Sequence, residues 1–254
     1  MFQIERQNKI LNHLNMAQKA NTEELASIFD VSKVTIRRDI DALAEKGLLI
    51  KTHGGAIAIK NTLLNEIPYS TRNESNREEK EKIGIMAADL IEDGDTIILD
   101  SGSTTLEIAK NIKQKNVTII TNDVSIVMEL SHTKNKIIVC GGSLNSPAFS
   151  LIGNEAVEFF KKIHVNKTFL GCDALDLDFG VSNRTFDEVN IKRAMIRAAE
   201  KVIIVTDNSK LDKKVFCHLC DVSVFDTIVI NDIDERYRKL FTEKDVNVIT
   251  TNSQ

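Results

Sequence analysis

The sequence predicts an α/β fold in two domains, a small helical N-terminal domain closed by a β-hairpin and a larger domain of alternating strands and helices. Three observations predict it. Helical periodicity and a hairpin pattern fill residues 1–58, a polar stretch containing Pro68 fills residues 59–75, and short apolar runs alternate with helical segments over residues 76–254. Such alternation is typical of a mainly parallel sheet covered on both faces.

Three short helices are predicted in the N-terminal domain. Apolar residues recur at helical spacing over residues 5–18. Thr22, which two glutamates follow, is predicted to cap a second helix that ends near Phe29. Ser32 is predicted to cap a third helix that reaches about Lys46.

The third helix has two unlike faces. At about 100° per residue, Ile36, Ile40 and Leu43 form one stripe, which predicts the buried side. Val34 and Arg38 lie on the opposite side, in the first half of the helix. A valine beside arginines is unusual for a face that meets only solvent, so this face is predicted to meet a partner.

A hairpin is predicted directly after the third helix. Residues 48–59 alternate as two strands around the turn His53-Gly-Gly55. Helix, helix, turn, helix and hairpin, in this order, indicate a winged helix-turn-helix. In that fold, residues at the front of the third helix enter the major groove of DNA.

The candidate DNA contacts follow from side-chain chemistry. Arg38 can bond guanine through two N–H groups, and Val34 can contact a thymine methyl. Arg37 either contacts DNA or pairs with Asp41 one turn later. The alternative for the whole face is a surface helix with ordinary salt bridges. The residues predicted to contact DNA are Thr22, Ser32, Val34, Thr35, Arg37, Arg38, Lys51 and His53.

Charge is distributed unequally along the chain. The net charge of −4 by itself gives no indication of a nucleic-acid partner. Residues 1–60, however, carry nine basic and seven acidic side chains, so the excess of acid lies in the remainder. This distribution excludes a uniformly basic coating protein but allows DNA binding through a few residues of the first domain.

The sequence also predicts the cellular compartment and the state of the cysteines. No run of about 18 apolar residues and no secretion signal is present, so we expect a cytoplasmic chain that does not cross a membrane. Four cysteines are too few for a disulfide scaffold at this length. Cys217-His-Leu-Cys220 could suggest zinc or redox chemistry, but the sequence has no second closely spaced pair, so buried reduced thiols and no metal are expected.

The larger domain is predicted to begin with a helix from Arg77 and a strand over residues 96–99. Further strands are predicted at 117–121, 136–140, 167–170, 202–206, 227–231 and 246–250, and further helices at 105–113, 123–131, 154–161, 187–200 and 234–243.

An anion site is predicted where the first strand of this domain meets the next helix. The loop Asp100-Ser-Gly-Ser-Thr-Thr105 offers free amides, a glycine and hydroxyls, and it lacks the lysine of a nucleotide-binding loop. Other strand ends converge on the same edge of a parallel sheet. The residues predicted to bind the ligand are Asp100, Ser101, Gly102, Ser103, Thr104, Thr105, Thr121, Asn122, Gly141, Gly142, Asp173 and Lys210.

Motifs along nearly the whole chain carry a family resemblance. Those in the first domain are Thr22-Glu-Glu-Leu-Ala26, Thr35-Ile-Arg-Arg-Asp39 and His53-Gly-Gly-Ala56. Those in the second include Asp100-Ser-Gly-Ser-Thr-Thr105, Lys192-Arg-Ala-Met-Ile196 and Asp207-Asn-Ser-Lys210. With them the chain resembles DeoR-type bacterial transcriptional repressors. The resemblance implies a sensor domain that is similar to ribose-5-phosphate isomerase and binds a phosphorylated sugar, which relieves repression. It also implies that Lys192 is one of the residues that bind the effector.

The hypothesis is therefore a repressor of a carbohydrate-utilisation operon, with double-stranded operator DNA and a sugar phosphate as partners and no cofactor. Symmetric half-sites in DNA imply a homo-oligomer, either a dimer or a tetramer. One alternative is a sugar-phosphate isomerase-like enzyme with an attached DNA-binding module. In the isomerases a glycine-rich loop with a lysine contributes to catalysis, and no such loop follows Gly171-Cys-Asp-Ala174 here. The sequence therefore gives this alternative less support. A metal or thiol regulator is the other alternative.

Overall fold

A computed structural model describes residues 2–17, 19–45, 48–58, 72–73, 75–114, 116–146 and 148–251. The chain forms two compact units, Met1–Asn65 and Glu66–Gln254. Most of the predicted linker over residues 59–75, including Pro68, and the predicted helix end at Lys46 lie outside the described residues.

The N-terminal unit is a three-helix core with a small antiparallel sheet. The strand order is β1-β3-β2, and the hairpin of β2 and β3 is the predicted one, whereas β1 was not predicted. The elements are α1 Gln3–Ala17, β1 Lys19–Asn21, α2 Thr22–Phe29, α3 Lys33–Glu45, β2 Leu49–Thr52 and β3 Gly55–Ala58.

The start of α2 differs from the prediction by one residue. Asn21, not Thr22, is the N-cap, because its Oδ1 accepts a hydrogen bond from the Glu24 amide at 2.7 Å. Thr22 lies inside the helix, where it is buried and donates its hydroxyl to the Gly54 carbonyl at 3.1 Å. Thr22 therefore fixes the hairpin turn against α2, which corrects its prediction as a capping residue.

The predicted stripe of α3 is the centre of this unit's core. Ile36, Ile40 and Leu43 are at most 2% exposed and pack with apolar residues of α1 and α2, including Ile10 and Leu25. Burial of such side chains stabilises the fold by about 1.5–3 kcal/mol each. The wheel prediction is confirmed.

A buried ion pair joins α1 to α3 within that core. The Arg6 guanidinium Nε lies 2.6 Å from Asp39 Oδ2, and Gln7 Nε2 donates to Asp39 Oδ1 at 3.2 Å. Asp39 is 1% exposed, so its charge depends on these partners.

The C-terminal unit is built on a seven-stranded parallel sheet of order β15-β14-β12-β9-β4-β5-β6. Its helices are α4 Arg77–Ala88, α5 Ser103–Asn111, α6 Val124–Leu130, α7 Asn154–Phe160, α8 Phe186–Ala198 and α9 Glu235–Glu243. Its strands are β4 Thr96–Leu99, β5 Thr118–Thr121, β6 Lys136–Val139, β7 Ser143–Asn145, β8 Ser150–Ile152, β9 Val165–Leu170, β10 Ala174–Asp176, β11 Gly180–Asn183, β12 Ala199–Thr206, β13 Cys217–Cys220, β14 Thr227–Ile230 and β15 Asn247–Thr250.

Both faces of this sheet are covered, as predicted. Successive side chains of a strand point to opposite faces, so Ile97 and Leu99 of β4 pack into one core and Ile98 into the other. The first core is completed by residues of α4, α5 and α6, and the second by residues of α7, α8 and α9. The strands are consequently apolar on both sides.

Two small antiparallel sheets are not predicted by the sequence. Strands β7 and β8 form a hairpin, and β10, β11 and β13 form a separate three-stranded sheet. The helix predicted over residues 187–200 ends earlier, at Ala198, because Ala199 already pairs with Val165 of β9. No helix in the described part of the chain is long and apolar enough to cross a membrane.

Candidate functional site

The front of α3 presents an exposed surface that we call the reading surface, formed by Ser32, Val34, Thr35, Arg37 and Arg38. Ser32 Oγ accepts from the Thr35 amide at 3.1 Å, which confirms Ser32 as the cap. Val34 is 57% exposed. Arg37 and Arg38 are exposed and form no ion pair with any residue that the structure describes.

The hairpin contributes Lys51 and His53, which are both exposed. Lys51 forms an ion pair with Asp41 of α3. Asp41 is therefore paired across the unit to the hairpin, and the alternative pairing of Arg37 with Asp41 is not seen. The two arginines of the reading surface are left to solvent, so they can bind phosphates or base edges without breaking an existing pair.

A cleft in the C-terminal unit collects side chains from the carboxyl ends of β4 and β5, the predicted place. Asp100 and Ser101 follow β4, and Asn122 follows β5. The other lining residues come from before α4, from the β7–β8 hairpin and from α8: Arg72, Asn145, Ala148, Ser150, Ile152, Thr185, Glu188 and Ile191.

A buried ion pair forms the floor of this region. Lys192 of α8 is 1% exposed; its ammonium pairs with Asp100 Oδ2 and donates to the Gly171 carbonyl at 2.9 Å. Burial alone would lower the pKa of Lys192, but the carboxylates of Asp100 and Glu188 outweigh it and raise that pKa. Lys192 is therefore a charged partner that neutralises Asp100, and it does not line the cleft.

Glu188 is the second carboxyl group of the cleft. Its Oε1 accepts from Asn183 Nδ2 at 3.0 Å and lies 3.7 Å from Lys192 Nζ. Burial, followed by the nearby charge of Asp173, raises the pKa of Glu188 to about 7. Asp173 itself accepts from the Arg184 amide at 3.2 Å and lies 3.9 Å from the Arg184 guanidinium.

The predicted anion loop has divided roles. Thr105 is buried and donates to the carbonyls of Asp100 and Gly102, at 2.6 and 2.9 Å, so its hydroxyl holds the loop. Ser101 donates to Asp123 Oδ2 at 3.0 Å. Ser103 and Thr104 form no side-chain hydrogen bond with a described residue, and no described side chain caps α5, of which Gly102 is the N-cap.

The residues at the other predicted strand ends also differ in whether their polar atoms already have a hydrogen-bond partner. Thr121 is buried and its Oγ1 accepts from the Asp123 amide at 3.0 Å. Asn122 donates from Nδ2 to the Leu151 carbonyl, which leaves its buried Oδ1 without a partner among the described residues. Gly141 and Gly142 are exposed and do not line the cleft.

The conformation of Gly142 explains its residue type. Its φ is +138°, and a Cβ there would lie 2.6 Å from the Ile152 carbonyl oxygen. Gly142 therefore allows the β7–β8 hairpin to pack closely, which is a structural role. A ligand contact from either glycine stays a prediction.

Of the lining residues, Asp100, Ser101 and Asn122 are predicted from the sequence, and Arg72 is one of those that are not. Its Nε and Nη2 are buried and have no hydrogen-bond partner among the described residues. Lys80 of α4, itself 5% exposed, donates to the carbonyls of Arg72 and Ser75 and so fixes the backbone beside this guanidinium.

Further positive charge lies near Lys80. Burial lowers the pKa of Lys80 to about 8; Asp207 raises it, and the charges of Lys210 and Arg72 lower it further. Lys210, which follows β12 on a short 3-10 helix, forms no ion pair with a described residue. Lys80, Arg72 and Lys210 together make this end of the sheet suitable for an anion.

No cysteine is among the residues that line the cleft. Cys217 and Cys220 belong to β13, and both are buried free thiols, as predicted. Burial raises the pKa of Cys220 to about 12, with a contribution from Cys172. Thiols in this state are poor nucleophiles and poor metal ligands.

Comparison with known proteins identifies both units. Residues 6–62 match the family model described as DeoR-like helix-turn-helix domain, and residues 75–232 match the one described as DeoR C terminal sensor domain. The chain belongs to the DeoR family of transcriptional regulators. This DeoR-family chain thus contains a DNA-binding unit followed by a sensor unit.

Named relatives match this DeoR-family chain almost end to end. An uncharacterized helix-turn-helix-type transcriptional regulator of Bacillus subtilis, YulB, is 34% identical over 250 residues, covering 98% of this chain and 96% of the relative. The glycerol-3-phosphate regulon repressor of Escherichia coli is 32% identical over 230 residues, covering 90% of each. Because relatives of this kind are regulators, the DeoR-family chain is a DNA-binding transcriptional regulator.

Solved structures show more distant similarity to the DeoR-family chain. Ribose 5-phosphate isomerase of Methanocaldococcus jannaschii has a TM-score of 0.41 at 18% identity, covering 55% of this chain and 56% of the other. The full-length sorbitol operon regulator SorC of Klebsiella pneumoniae has a TM-score of 0.36 at 13% identity, covering 83% and 90%. Scores this low support no statement about activity.

Proposed function

We propose that this regulator represses genes of carbohydrate utilisation, and that a phosphorylated sugar bound in the cleft of the C-terminal unit releases it from operator DNA. A regulator of this kind works beside the chromosome, in the cytoplasm. The name of one relative, the glycerol-3-phosphate regulon repressor of Escherichia coli, supports a phosphate ester as the effector class, and a second relative is named as a putative aga operon transcriptional repressor of Escherichia coli O157:H7.

The observation that carries the proposal is the Arg72 guanidinium. Two of its nitrogen atoms are buried in the cleft without a partner among the described residues. A buried donor without a partner costs about 1–3 kcal/mol, and more when it is charged. A phosphate ester would remove this cost, because its oxygens accept paired hydrogen bonds from a guanidinium. Lys80 and Lys210 add positive potential to the same region.

The mechanism requires a difference in ligand affinity between two states. A sugar phosphate releases the regulator only if it binds more tightly to the state that cannot hold DNA. Operators with two half-sites need two reading surfaces in fixed register, so we propose that the functional form is a homodimer or a tetramer.

The experiment uses the full-length chain and an operator fragment selected from random-sequence DNA. Phosphorylated sugars are screened by thermal shift, and those that stabilise the protein are added to the DNA complex in a fluorescence-anisotropy assay. We expect at least one sugar phosphate to stabilise the protein and to dissociate the complex, while its unphosphorylated form does neither.

Variants locate the effect. At the same ligand concentration, Arg72→Gln should strongly reduce both the stabilisation and the dissociation, whereas Arg238→Gln, on the exposed side of α9, should leave both unchanged. If a stabilising sugar phosphate acts equally on Arg72→Gln, the ligand site is elsewhere and the proposal is wrong.

A further inference from the structure

The polar groups of the cleft differ in what they can accept and donate. Arg72 offers donors, whereas the buried Oδ1 of Asn122 is an acceptor without a partner among the described residues. The assignment of that oxygen is fixed by the amide nitrogen, which donates to the Leu151 carbonyl at 3.2 Å. Glu188 adds a carboxylate, which is an acceptor when ionised.

The charges around Glu188 are not balanced. Lys192 is the nearest cation, at 3.7 Å, but it is in direct contact with Asp100, and Asp173 is paired with Arg184. Glu188 therefore shares one ammonium with another carboxylate. The charge of Arg72 also lowers the pKa of Glu188, but Arg72 forms no ion pair with a described residue. The cleft thus contains a guanidinium without a hydrogen-bond partner among the described residues and a carboxylate whose charge is only partly compensated.

A ligand that satisfies this cleft must bring opposite groups to these residues. Its anion meets the guanidinium of Arg72, while the groups that meet Asn122 and Glu188 must donate hydrogen bonds. Hydroxyl and ammonium groups do so, whereas a carboxylate would place acceptor against acceptor and negative charge against negative charge.

We propose that Glu188 and Asn122 determine effector specificity: the site takes phosphate esters whose body carries hydroxyl or amino groups and rejects phosphorylated sugar acids. This inference rests on the proposed function and goes beyond it by excluding one class of phosphorylated carbohydrate. Rejection occurs through a carboxylate built into the wall of the cleft, which is a repulsive element and not a missing contact.

The test compares matched pairs of probes that differ in one carboxylate. Glycerol 3-phosphate is paired with 3-phosphoglycerate and glucitol 6-phosphate with 6-phosphogluconate, and the affinity of each for the full-length chain is measured by calorimetry. We expect the member without the carboxylate to bind at least about tenfold more tightly, a difference of about 1.4 kcal/mol. Glu188→Gln should reduce this ratio to about threefold or less, and Glu235→Gln, on the surface of α9, should not change it.

Acidity gives a second measurement that needs no variant. The charged groups that face Glu188 are Asp173, Asp100, Lys192 and Arg72. Since the pKa of Glu188 is about 7, its charge is largely lost at about pH 6. The ratio within each pair should therefore fall from about pH 8 to pH 6, and because both members carry a phosphate, titration of that phosphate cancels.

The outcomes separate this inference from the proposed function. If no phosphate ester binds the wild-type chain, both fail. If the sugar acid of a pair binds as tightly as its partner, or if Glu188→Gln and low pH leave the preference intact, the proposed function stands and the role of Glu188 is refuted.

Discussion

The two units each remove an arginine head group from solvent, and they treat it in opposite ways. In the N-terminal unit Arg6 Nε lies 2.6 Å from Asp39 Oδ2, and Gln7 donates a hydrogen bond to the other oxygen of that carboxylate. In the C-terminal unit the buried nitrogens Nε and Nη2 of Arg72 have no described partner. Removing one partner of a satisfied buried pair is strongly destabilising, whereas an unsatisfied buried group requires an explanation, for which we propose the ligand.

The largest expected effect comes from breaking the satisfied pair. Asp39→Ala leaves the Arg6 charge buried without compensation, and the free energy of unfolding of the N-terminal unit should fall by about 3–5 kcal/mol. Hydrogen exchange of the amides of α1 and α3 in the full-length chain measures it. Asp41→Ala, which removes the exposed pair with Lys51, should cost at most about 1 kcal/mol. Equal losses in the two variants would contradict the assignment of Asp39 to the core.

The second expected effect comes from removing the unsatisfied charge. Arg72→Met should leave the ligand-free C-terminal unit as stable as the wild type or more stable, since it removes a desolvated group with no partner. Its affinity for a sugar phosphate should fall by about 1.5–3 kcal/mol, roughly ten- to hundredfold. Denaturant unfolding and calorimetry measure the two quantities on one preparation. Arg6→Met is the matched control, and it should destabilise its own unit.

The sequence predicts those residues of the cleft that a local pattern identifies, and it does not predict those that reach the cleft only through the fold. Strand ends are local, so Asp100, Ser101 and Asn122 were placed correctly at the cleft. The polar composition of residues 59–75 predicts a linker that includes Arg72, and nothing near Arg72 in the sequence shows that its side chain reaches a cleft formed by residues distant in sequence. One signal was available for Glu188, which lies four residues before Lys192, on the same helix face.

The fold shows the same division. The apolar runs Thr96-Ile-Ile-Leu99 and Thr118-Ile-Ile-Thr121 predicted the parallel sheet, because strands buried on both faces must be apolar throughout. Strands β1, β10 and β13 have three or four residues each, which is too short for a period-two pattern to identify them, and each is defined by its pairing with another strand. The Asn21 cap was missed by one residue, since asparagine and threonine are both good caps.

The reading surface supplies a third kind of arginine, one that is unpaired because it is exposed. Arg38→Ala should weaken operator binding by about 1–3 kcal/mol and relax base preference at one position of each half-site. Anisotropy titrations at fixed salt against operator and single-base variants measure it. Lys51→Ala should instead weaken binding to every sequence alike and reduce the salt dependence. Unchanged base preference in Arg38→Ala would falsify its role as a base reader.

The smallest expected effect concerns Lys80. It is a buried cation whose partners are neutral carbonyls, those of Arg72 and Ser75, and so it is intermediate between Arg6, which has a carboxylate partner, and Arg72, which has no described hydrogen-bond partner. Its pKa is lowered by burial to about 8, against about 10.4 in an unfolded chain. Between these values the unfolded state holds more protons, so stability should rise with pH, on the order of 1 kcal/mol over the window. Unfolding curves at about pH 8 and pH 10 should show a larger rise for the wild type than for Lys80→Met. A bound sugar phosphate should reduce the rise, because a nearby anion raises the pKa of Lys80 and keeps it charged; an unchanged rise would mean that the anion binds away from Lys80.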